Sequence, residues 1–171
     1  LILECGGNNG LVVMDDADLE LVLPATLFGA VGTAGQRCTT TRRLLVHRAR
    51  MAELMPRLLR AYDDIVIGDP LDPRTLCGPL IDEAAVKKVE EHVSDAVAKG
   101  AKVVTGGKRH ALGGLFFEPT ILANVNPSMK VTREETFGPV APLFRFKDEA
   151  EAIRMANDTE FGLAAYFYTR D

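Results

Sequence analysis

Apolar and polar positions follow two different periods along the chain, and the clearer of the two is helical. Between Asp82 and Gly100, valines recur at 86, 89, 93 and 97, at intervals of three and four residues. This spacing places the four side chains on one side of a helix. An aspartate can cap the first turn of a helix, and a glycine commonly ends one. The pattern predicts a helix between Asp82 and Gly100, with its apolar stripe packed against a sheet.

Short apolar runs bounded by glycine, proline or acidic residues predict β-strands in the same chain. Such runs lie at 1–3, 11–14, 44–47, 101–105, 116–122, 140–146 and 163–169. Further helices are predicted from Asp16 or Asp18 to Ala34, over 51–62 and over 149–156. Strands that alternate with helices of this length imply β-α-β crossovers. We therefore predict an α/β fold, one domain over 1–171, whose largely parallel sheet carries helices on both faces.

The composition is that of an ordinary globular protein and excludes several classes of function. Apolar residues make up 47% of the chain and charged residues 26%, which is enough for a core and gives no sign of disorder. The net charge of −4 argues against a nucleic-acid or anionic-membrane surface, which needs clustered Lys and Arg. No apolar run approaches the roughly 18 residues of a membrane span. A soluble protein without nucleic-acid or membrane partners is expected.

The cysteines and histidines predict no metal site. Cys5, Cys38 and Cys77 are an odd number at wide spacing and form no C-x-x-C motif. Neither a disulfide framework nor a zinc site has this pattern. The three histidines are also scattered, without the paired spacing of zinc ligands. Reduced thiols in the cytoplasm are expected.

Cys38 lies in the sequence Gly-Gln-Arg-Cys-Thr at 35–39, which we name the thiol loop. Small residues precede it, so a backbone can approach a ligand there. A lone cysteine is commonly buried and inert, and that interpretation stays open on this segment alone. Arg37, however, favours the thiolate form, which is the nucleophile, and threonines follow in place of apolar packing residues. These features favour a reactive thiol.

Glu4 lies in the sequence Leu-Glu-Cys-Gly-Gly at 3–7, which we name the carboxylate segment. The two glycines permit a sharp turn and leave space beside the carboxylate, as a base acting on water requires. A loop carboxylate without a chemical role is the alternative. A thiol and a carboxylate are together the parts of a thioester mechanism in which a base activates water.

A third segment, which we name the acidic loop, carries Glu-Glu-Thr-Phe-Gly-Pro-Val at 134–140, directly before a predicted strand. Alone it would be an acidic loop with a core phenylalanine. In this order, however, the three segments resemble the E-x-G-G, G-Q-x-C and E-x-F-G-P motifs of the aldehyde dehydrogenase superfamily. A Phe-Gly-Leu-Ala sequence at 161–164 adds to the resemblance, which covers essentially the entire chain.

The resemblance implies a role for each candidate residue. Cys38 would attack the aldehyde carbon to give a thiohemiacetal, and its backbone N–H would help to hold the oxyanion. Glu4 would activate the water that hydrolyses the resulting thioester. Glu135 would hold the nicotinamide ribose and Phe137 would pack near the nicotinamide ring. The implied cofactor is NAD or NADP, the implied substrate is a small aldehyde, and the full-length enzyme would be a homo-oligomer.

The chain departs from the family in two respects. The dinucleotide-binding domain that precedes E-x-G-G in the family has no counterpart in 1–171, where no G-x-G-x-x-G opens a helix after a strand. We therefore expect an internal fragment, a truncated catalytic domain, and the alternative function is an incomplete piece with at most cysteine-dependent esterase activity. The second departure is Cys5, where the family usually has an apolar residue. We predict that Cys5 packs as that residue would, with a redox partnership to Cys38 as the alternative, and that Cys77 fills the core.

The substrate class follows from a divided resemblance. Residues 1–76 look closest to antiquitin-like α-aminoadipic semialdehyde dehydrogenases, and the chain from 78 onward looks closest to succinate-semialdehyde dehydrogenases. Both imply a semialdehyde with a distal carboxylate. Arg37 is the only charged residue adjacent to the nucleophile, and its guanidinium could bind that carboxylate at two points. Pairing of Arg37 with a structural carboxylate is the alternative.

Overall fold

Six strands form one sheet in the computed structural model, which describes residues 1–171. They are β1 (Asn9–Val13), β2 (Thr41–His47), β3 (Lys102–Thr105), β4 (Thr120–Ala123), β5 (Val140–Phe146) and β6 (Ala165–Tyr168). Their order across the sheet is β3-β4-β5-β2-β1-β6. All neighbouring strands are parallel except β3 and β4, which are antiparallel. The predicted α/β fold with a largely parallel sheet is confirmed.

Five helices connect these strands, and three of them begin at acidic caps. They are α1 (Leu19–Val31), α2 (Met51–Asp63), α3 (Glu83–Ala98), α4 (Lys130–Arg133) and α5 (Glu149–Asn157), with 3-10 turns at Gly32–Gly35 and Arg48–Arg50. The side chains of Asp18, Asp82 and Asp148 each accept a hydrogen bond from a backbone N–H in the first turn of α1, α3 and α5. These bonds satisfy donors that have no partner within the helix.

Both faces of the sheet are covered. Successive side chains of a strand point to opposite faces, and in β2 Leu44 and Val46 join a large buried cluster with residues of α1, α2 and α3. Leu45, between them, packs instead with Phe146 and with Ala152 of α5. Three of the four valines of the predicted stripe on α3 are buried, and only Val97 in the last turn is exposed. The prediction of helices on both faces is therefore confirmed.

One predicted strand is absent, one is shorter than predicted, and one short helix was missed. Residues 1–3 pair with no strand and their apolar side chains are exposed, so they do not form the predicted strand: an apolar run does not by itself supply partners for the N–H and C=O groups of a strand. The strand predicted over 116–122 begins only at Thr120, since Phe117 makes a single bridge to Arg109. The four-residue α4 was not predicted, because one turn has too few positions to show a period. No helix combines the length and the apolar character needed to cross a membrane.

Candidate active site

The three candidate segments meet at one edge of the sheet. The carboxylate segment leads into β1, the thiol loop into β2 and the acidic loop into β5. These three strands are neighbours in the sheet, in the order β5-β2-β1, and they are parallel. The segments that enter parallel neighbours lie at the same edge, so residues more than a hundred positions apart come together. In most open α/β sheets ligands lie at the opposite edge, beyond the carboxyl ends of the strands.

The candidate residues line one open cavity of about 580 Å³ at this edge. This size suits a small organic ligand. The cavity walls come from all three segments and include every predicted site residue, together with Cys5, Gly6, Gln36 and Thr39; the predicted residues are Glu4, Arg37, Cys38, Glu135 and Phe137. Cys38 and Glu4 are exposed, whereas Glu135 and Phe137 are half-buried.

The thiol loop is held by polar side chains on both sides of Cys38. The side-chain amide of Asn9 donates to the carbonyl oxygens of Cys38, at 2.7 Å, and Thr40, at 2.8 Å. Gln36 donates to Pro79 O at 3.2 Å and accepts from the Ile81 N–H at 2.8 Å. The backbone N–H of Cys38 has no acceptor within the chain. An exposed thiol is thus presented on an anchored loop, beside a backbone donor that is free to bind an oxyanion.

Gly7 brings the carboxylate segment into direct contact with the thiol loop. A Cβ atom at this position would collide with the carbonyl oxygen of Cys38. Only a glycine therefore permits the two backbones to approach this closely. Gly7 thereby places the carboxylate segment, which contains Glu4, against the thiol loop.

The acidic loop presents a carboxylate and a ring to the same cavity. The N–H of Gly7 donates to Glu135 Oε1 at 3.0 Å, and Oε2 would lie 3.0 Å from a Cβ atom added at Gly6. Phe137 forms another part of the wall. A half-buried carboxylate can accept hydrogen bonds from sugar hydroxyls, and a ring face can pack against a flat heterocycle. These residues therefore fit the nicotinamide-ribose end of a dinucleotide.

Arg37 forms no ion pair. Its Nη2 donates to the carbonyl oxygen of Phe28 at 2.7 Å, and its guanidinium carbon lies 4.3 Å from the centre of the Phe28 ring. The buried Nε of Arg37 has no hydrogen-bond partner. The alternative interpretation, in which Arg37 pairs with a structural carboxylate, is wrong. Its charge is compensated by no acidic side chain. Arg37 lines the cavity that contains Cys38, but its guanidinium lies against Phe28, which lines a neighbouring cavity.

The geometry agrees with the outcome of comparison with known proteins. The sequence model of the aldehyde dehydrogenase family matches residues 1–171. This chain belongs to the aldehyde dehydrogenase family. Solved structures show the same architecture. The crystal structure of an Escherichia coli NADP-dependent enzyme superposes on this chain with a TM-score of 0.94 at 55% identity. The superposition covers 97% of this chain and 34% of that one.

Named relatives of this aldehyde dehydrogenase chain act on semialdehydes. The NADP(+) succinate-semialdehyde dehydrogenase GabD of Escherichia coli is 55% identical over 169 residues, 99% of this chain and 35% of the relative. The glutarate-semialdehyde dehydrogenase of Pseudomonas aeruginosa is 54% identical over the same shares. The solved succinate-semialdehyde dehydrogenase of Burkholderia pseudomallei has a TM-score of 0.94 at 52% identity. The chain spans about a third of the length of these relatives. The likeness of the first half to α-aminoadipic semialdehyde enzymes stays a prediction.

Sequence reasoning missed two buried residues that organise this aldehyde dehydrogenase site, Asn9 and Arg42. Asn9 is 2% exposed and anchors the thiol loop, as described above. Arg42, in β2, is 1% exposed, and burial lowers its pKa to about 10, against the opposing attraction of Glu135 and Cys38. Arg42 remains protonated at neutral pH. The only sequence signal was a pair of arginines at the start of an apolar run, where a strand entering a core would not be expected to carry charge.

The two other cysteines differ in exposure: Cys5 lies at the surface and Cys77 lies in the core. Cys5 is exposed and lines the cavity, so the prediction that it packs as an apolar residue is wrong, because the carboxylate segment runs along the surface of the chain before it enters β1. Cys77 is buried, as predicted, and burial raises the pKa of its thiol to about 11. Cys77 is therefore protonated and inert at neutral pH.

Proposed function

We propose that the protein, expressed from its complete reading frame, oxidises an aldehyde to the carboxylic acid with NAD or NADP. The aldehyde would be a semialdehyde with a distal carboxylate, such as succinate or aminoadipate semialdehyde. The observation that carries the proposal is the convergence of a thiol, a base candidate, a carboxylate and a ring on one cavity: Cys38, Glu4, Glu135 and Phe137. The names of the succinate- and glutarate-semialdehyde relatives support the anionic substrate.

Cys38 performs the covalent step in this proposal. Its thiolate attacks the aldehyde carbon, and the new C–S bond converts the carbonyl oxygen to an oxyanion. The free backbone N–H of Cys38 donates to that oxygen, in a loop already fixed by Asn9. A donor that needs no rearrangement stabilises developing charge more than a mobile one does.

The nicotinamide ring, when bound, supplies the hydride acceptor that converts the thiohemiacetal on Cys38 to a thioester. Glu135 would accept hydrogen bonds from the ribose hydroxyls, and Phe137 would limit the position of the ring. Within these 171 residues no glycine-rich phosphate loop follows a strand. We therefore propose that this chain is a catalytic domain that supplies the nicotinamide end of the site, and that the dinucleotide-binding domain is not part of it.

Glu4 completes the cycle in this proposal. Its carboxylate takes a proton from water, the water oxygen attacks the thioester carbon, and the C–S bond breaks to release the carboxylic acid and the Cys38 thiolate. Glu4 is exposed in the same cavity as Cys38, and Gly6 lines that cavity as well. Because Glu4 and Cys38 act here without a nucleotide, hydrolysis of a simple ester is the activity that an incomplete site would retain.

The test of the proposed function is a thiol variant with a matched control. Reduction of NAD and NADP is followed with succinate semialdehyde in the unmodified protein, in Cys38→Ala and in Cys5→Ala. Cys5 lines the same cavity, so its removal controls for loss of a neighbouring thiol. We expect Cys38→Ala to abolish the activity and Cys5→Ala to keep it. An unchanged rate in Cys38→Ala would refute the assignment, and ester hydrolysis without dehydrogenation would favour the incomplete-site alternative.

Arg37 is proposed to bind the substrate carboxylate. A charge-assisted hydrogen bond contributes about 1.5–3 kcal/mol, which corresponds to a loss of about tenfold to a hundredfold in kcat/KM when it is removed. Succinate semialdehyde and butanal have the same carbon chain length but differ in the distal charge. We expect Arg37→Met to lose this factor with succinate semialdehyde only. Equal losses with the two aldehydes would exclude the carboxylate contact.

The remaining expectations concern location and assembly. We propose a cytoplasmic homo-oligomer, with no nucleic-acid or membrane partner. The free thiols Cys5, Cys38 and Cys77 support a reducing compartment. Size-exclusion chromatography with light scattering tests the oligomeric state, and a monomeric mass would contradict it.

A further inference from the structure

The guanidinium of Arg42 lies where the three site segments meet. It has five N–H donors, and the structure offers each of them one acceptor. The acceptors are the carbonyl oxygens of Gly7 (3.1 Å), Gly35 (3.2 Å), Arg37 (2.8 Å) and Thr136, and Glu135 Oε1 (3.5 Å). One comes from the carboxylate segment, two belong to the thiol loop and two belong to the acidic loop. Arg42 is the one side chain that contacts all three.

One of these contacts acts on the peptide that carries the proposed oxyanion donor. The carbonyl oxygen of Arg37 and the N–H of Cys38 belong to the same peptide unit, which is planar and trans. Arg42 Nη2 donates to that oxygen at 2.8 Å, and the Thr40 N–H donates to it at 3.0 Å, so Arg42 contributes one of the two bonds that set the direction in which the Cys38 N–H points. A hydrogen bond to the carbonyl also polarises the N–H on the other side of the same peptide.

The same nitrogen, Nη2, also reaches the carboxylate of Glu135, and the Arg42 guanidinium carbon lies 5.2 Å from the centre of the Phe137 ring. The two groups of the acidic loop that would meet the nicotinamide end are therefore both in contact with Arg42. Because Arg42 is 1% exposed, water cannot replace it as a donor. A shorter or neutral side chain would leave buried carbonyl oxygens without partners.

We propose that Arg42 is a positioning residue that sets the Cys38 oxyanion peptide and the Glu135 carboxylate in one arrangement. The inference rests on the proposed function, since it assigns to Arg42 the alignment of groups used in that reaction. Arg42 does not line the cavity that would hold substrate and nicotinamide. It acts through the peptide before Cys38 and through Glu135.

The adjacent Arg43 provides a matched control. It is also buried in β2, at 4% exposed, and it also donates to backbone carbonyl oxygens, those of Asn8, Met155 and Ala156. Two of these partners belong to α5 and the third, Asn8, directly precedes β1; none belongs to the thiol loop or the acidic loop. Arg42→Lys and Arg43→Lys each keep the charge and lose the planar array of donors. A purely structural role would give the two variants the same phenotype.

The test compares two reactions of Cys38 that need no nucleotide, in the protein expressed from its complete reading frame. Acylation by p-nitrophenyl acetate passes through an oxyanion, whereas alkylation by iodoacetamide does not. Loss of one oxyanion-hole donor slows catalysis by about a hundredfold or more. We expect Arg42→Lys to slow acylation by at least about tenfold, since the donor is misaligned rather than removed, and to change alkylation by less than about threefold. Arg43→Lys should change both rates by less than about threefold.

A second measurement tests the Glu135 contact. Calorimetric titration with NADP measures its Kd. We expect the Kd to rise by at least about tenfold in Arg42→Lys, because one charge-assisted contact is lost, and to stay unchanged in Arg43→Lys. Acylation and alkylation that fall together, or equal effects in the two arginine variants, would overturn the proposal. Should Arg42→Lys fail to fold, a crystal structure of the unmodified protein with NADP tests the proposal instead. In that structure Arg42 Nη2 must contact both Arg37 O and Glu135. The absence of either contact would overturn the proposal. An unmodified protein that acylates normally but oxidises no semialdehyde would refute the proposed function instead.

Discussion

Gly35→Ala isolates the contact between the thiol loop and the acidic loop. Gly35 has φ +68°, in the left-handed region, and an added Cβ would collide with the carbonyl group of Gly138 and lie 2.8 Å from the nitrogen of Pro139. The atoms in the way belong to the backbone, so no rotamer change relieves the overlap. Gly138 is itself packed against Val89 of α3, which leaves the acidic loop little room to move.

The expected loss of folding stability in Gly35→Ala has two parts. A residue with a Cβ in left-handed backbone costs about 1–2 kcal/mol relative to glycine. Over-packing against well-ordered neighbours adds about 1–3 kcal/mol, so the substitution should destabilise the fold by about 2–5 kcal/mol. Gly113 separates the two parts: its φ is +72°, and nothing lies within 4 Å of an added Cβ. Gly113→Ala should therefore show the conformational part alone.

Urea unfolding, followed by far-UV circular dichroism, gives the difference in free energy between the two variants. We expect Gly35→Ala to be less stable than Gly113→Ala by about 1–3 kcal/mol. The rate of Cys38 alkylation should change only in Gly35→Ala, since Gly35 lies in the thiol loop and Gly113 lies far from it in sequence and outside the cavity. Equal free energies of unfolding for the two variants would refute the close packing of Gly35 on Gly138.

Two further predictions follow from the perturbed pKa values. Burial raises the pKa of Cys77 to about 11. Brief treatment of the folded protein with iodoacetamide at neutral pH should therefore modify Cys5 and Cys38 but not Cys77, as detected by peptide mass spectrometry. Early modification of Cys77 would contradict its burial. Burial also lowers the pKa of His92 below 6.5, although the carboxylate of Glu134 opposes the shift. The unfolded chain therefore binds a proton at His92 more readily than the folded protein does. The free energy of unfolding should fall as the pH decreases below about 6.5. His92→Gln should weaken that pH dependence, and an unchanged slope would assign it to other groups.

The position of the site could be predicted from the sequence because each motif directly precedes a strand. Glu4, Cys38 and Glu135 are each followed within about five residues by β1, β2 or β5. Parallel strands align their entry points at one edge, so the three motifs had to share that edge. Apolar periodicity located α3 for a related reason: its valines face one core, and local spacing reports a single buried face.

Asn9, Arg42 and Cys5 could not be assigned from the sequence, for different physical reasons. Asn9 and Arg42 are polar side chains whose burial depends on acceptors from distant segments; the acceptor at Thr136 lies 94 positions from Arg42. Composition rules place such residues at the surface unless they are paired, and the partners are visible only in the fold. Cys5 shows the reverse, since an apolar neighbourhood in sequence did not produce burial in space.

The strand order explains why a single residue can join all three segments. β2 lies between β1 and β5, so a side chain at its beginning is the nearest point common to the carboxylate segment on one side and the acidic loop on the other. Arg42 is the second residue of β2, and its guanidinium is long enough and has enough donors to reach both. A side chain at the start of β1 would lie beside the carboxylate segment, but the acidic loop would be two strands away. For a side chain at the start of β5 the reverse holds. Substitution of Arg42 should therefore disturb the thiol loop and the acidic loop together, whereas substitution of Glu135 removes its bonds to Gly7 and Arg42 but no hydrogen bond made to the thiol loop.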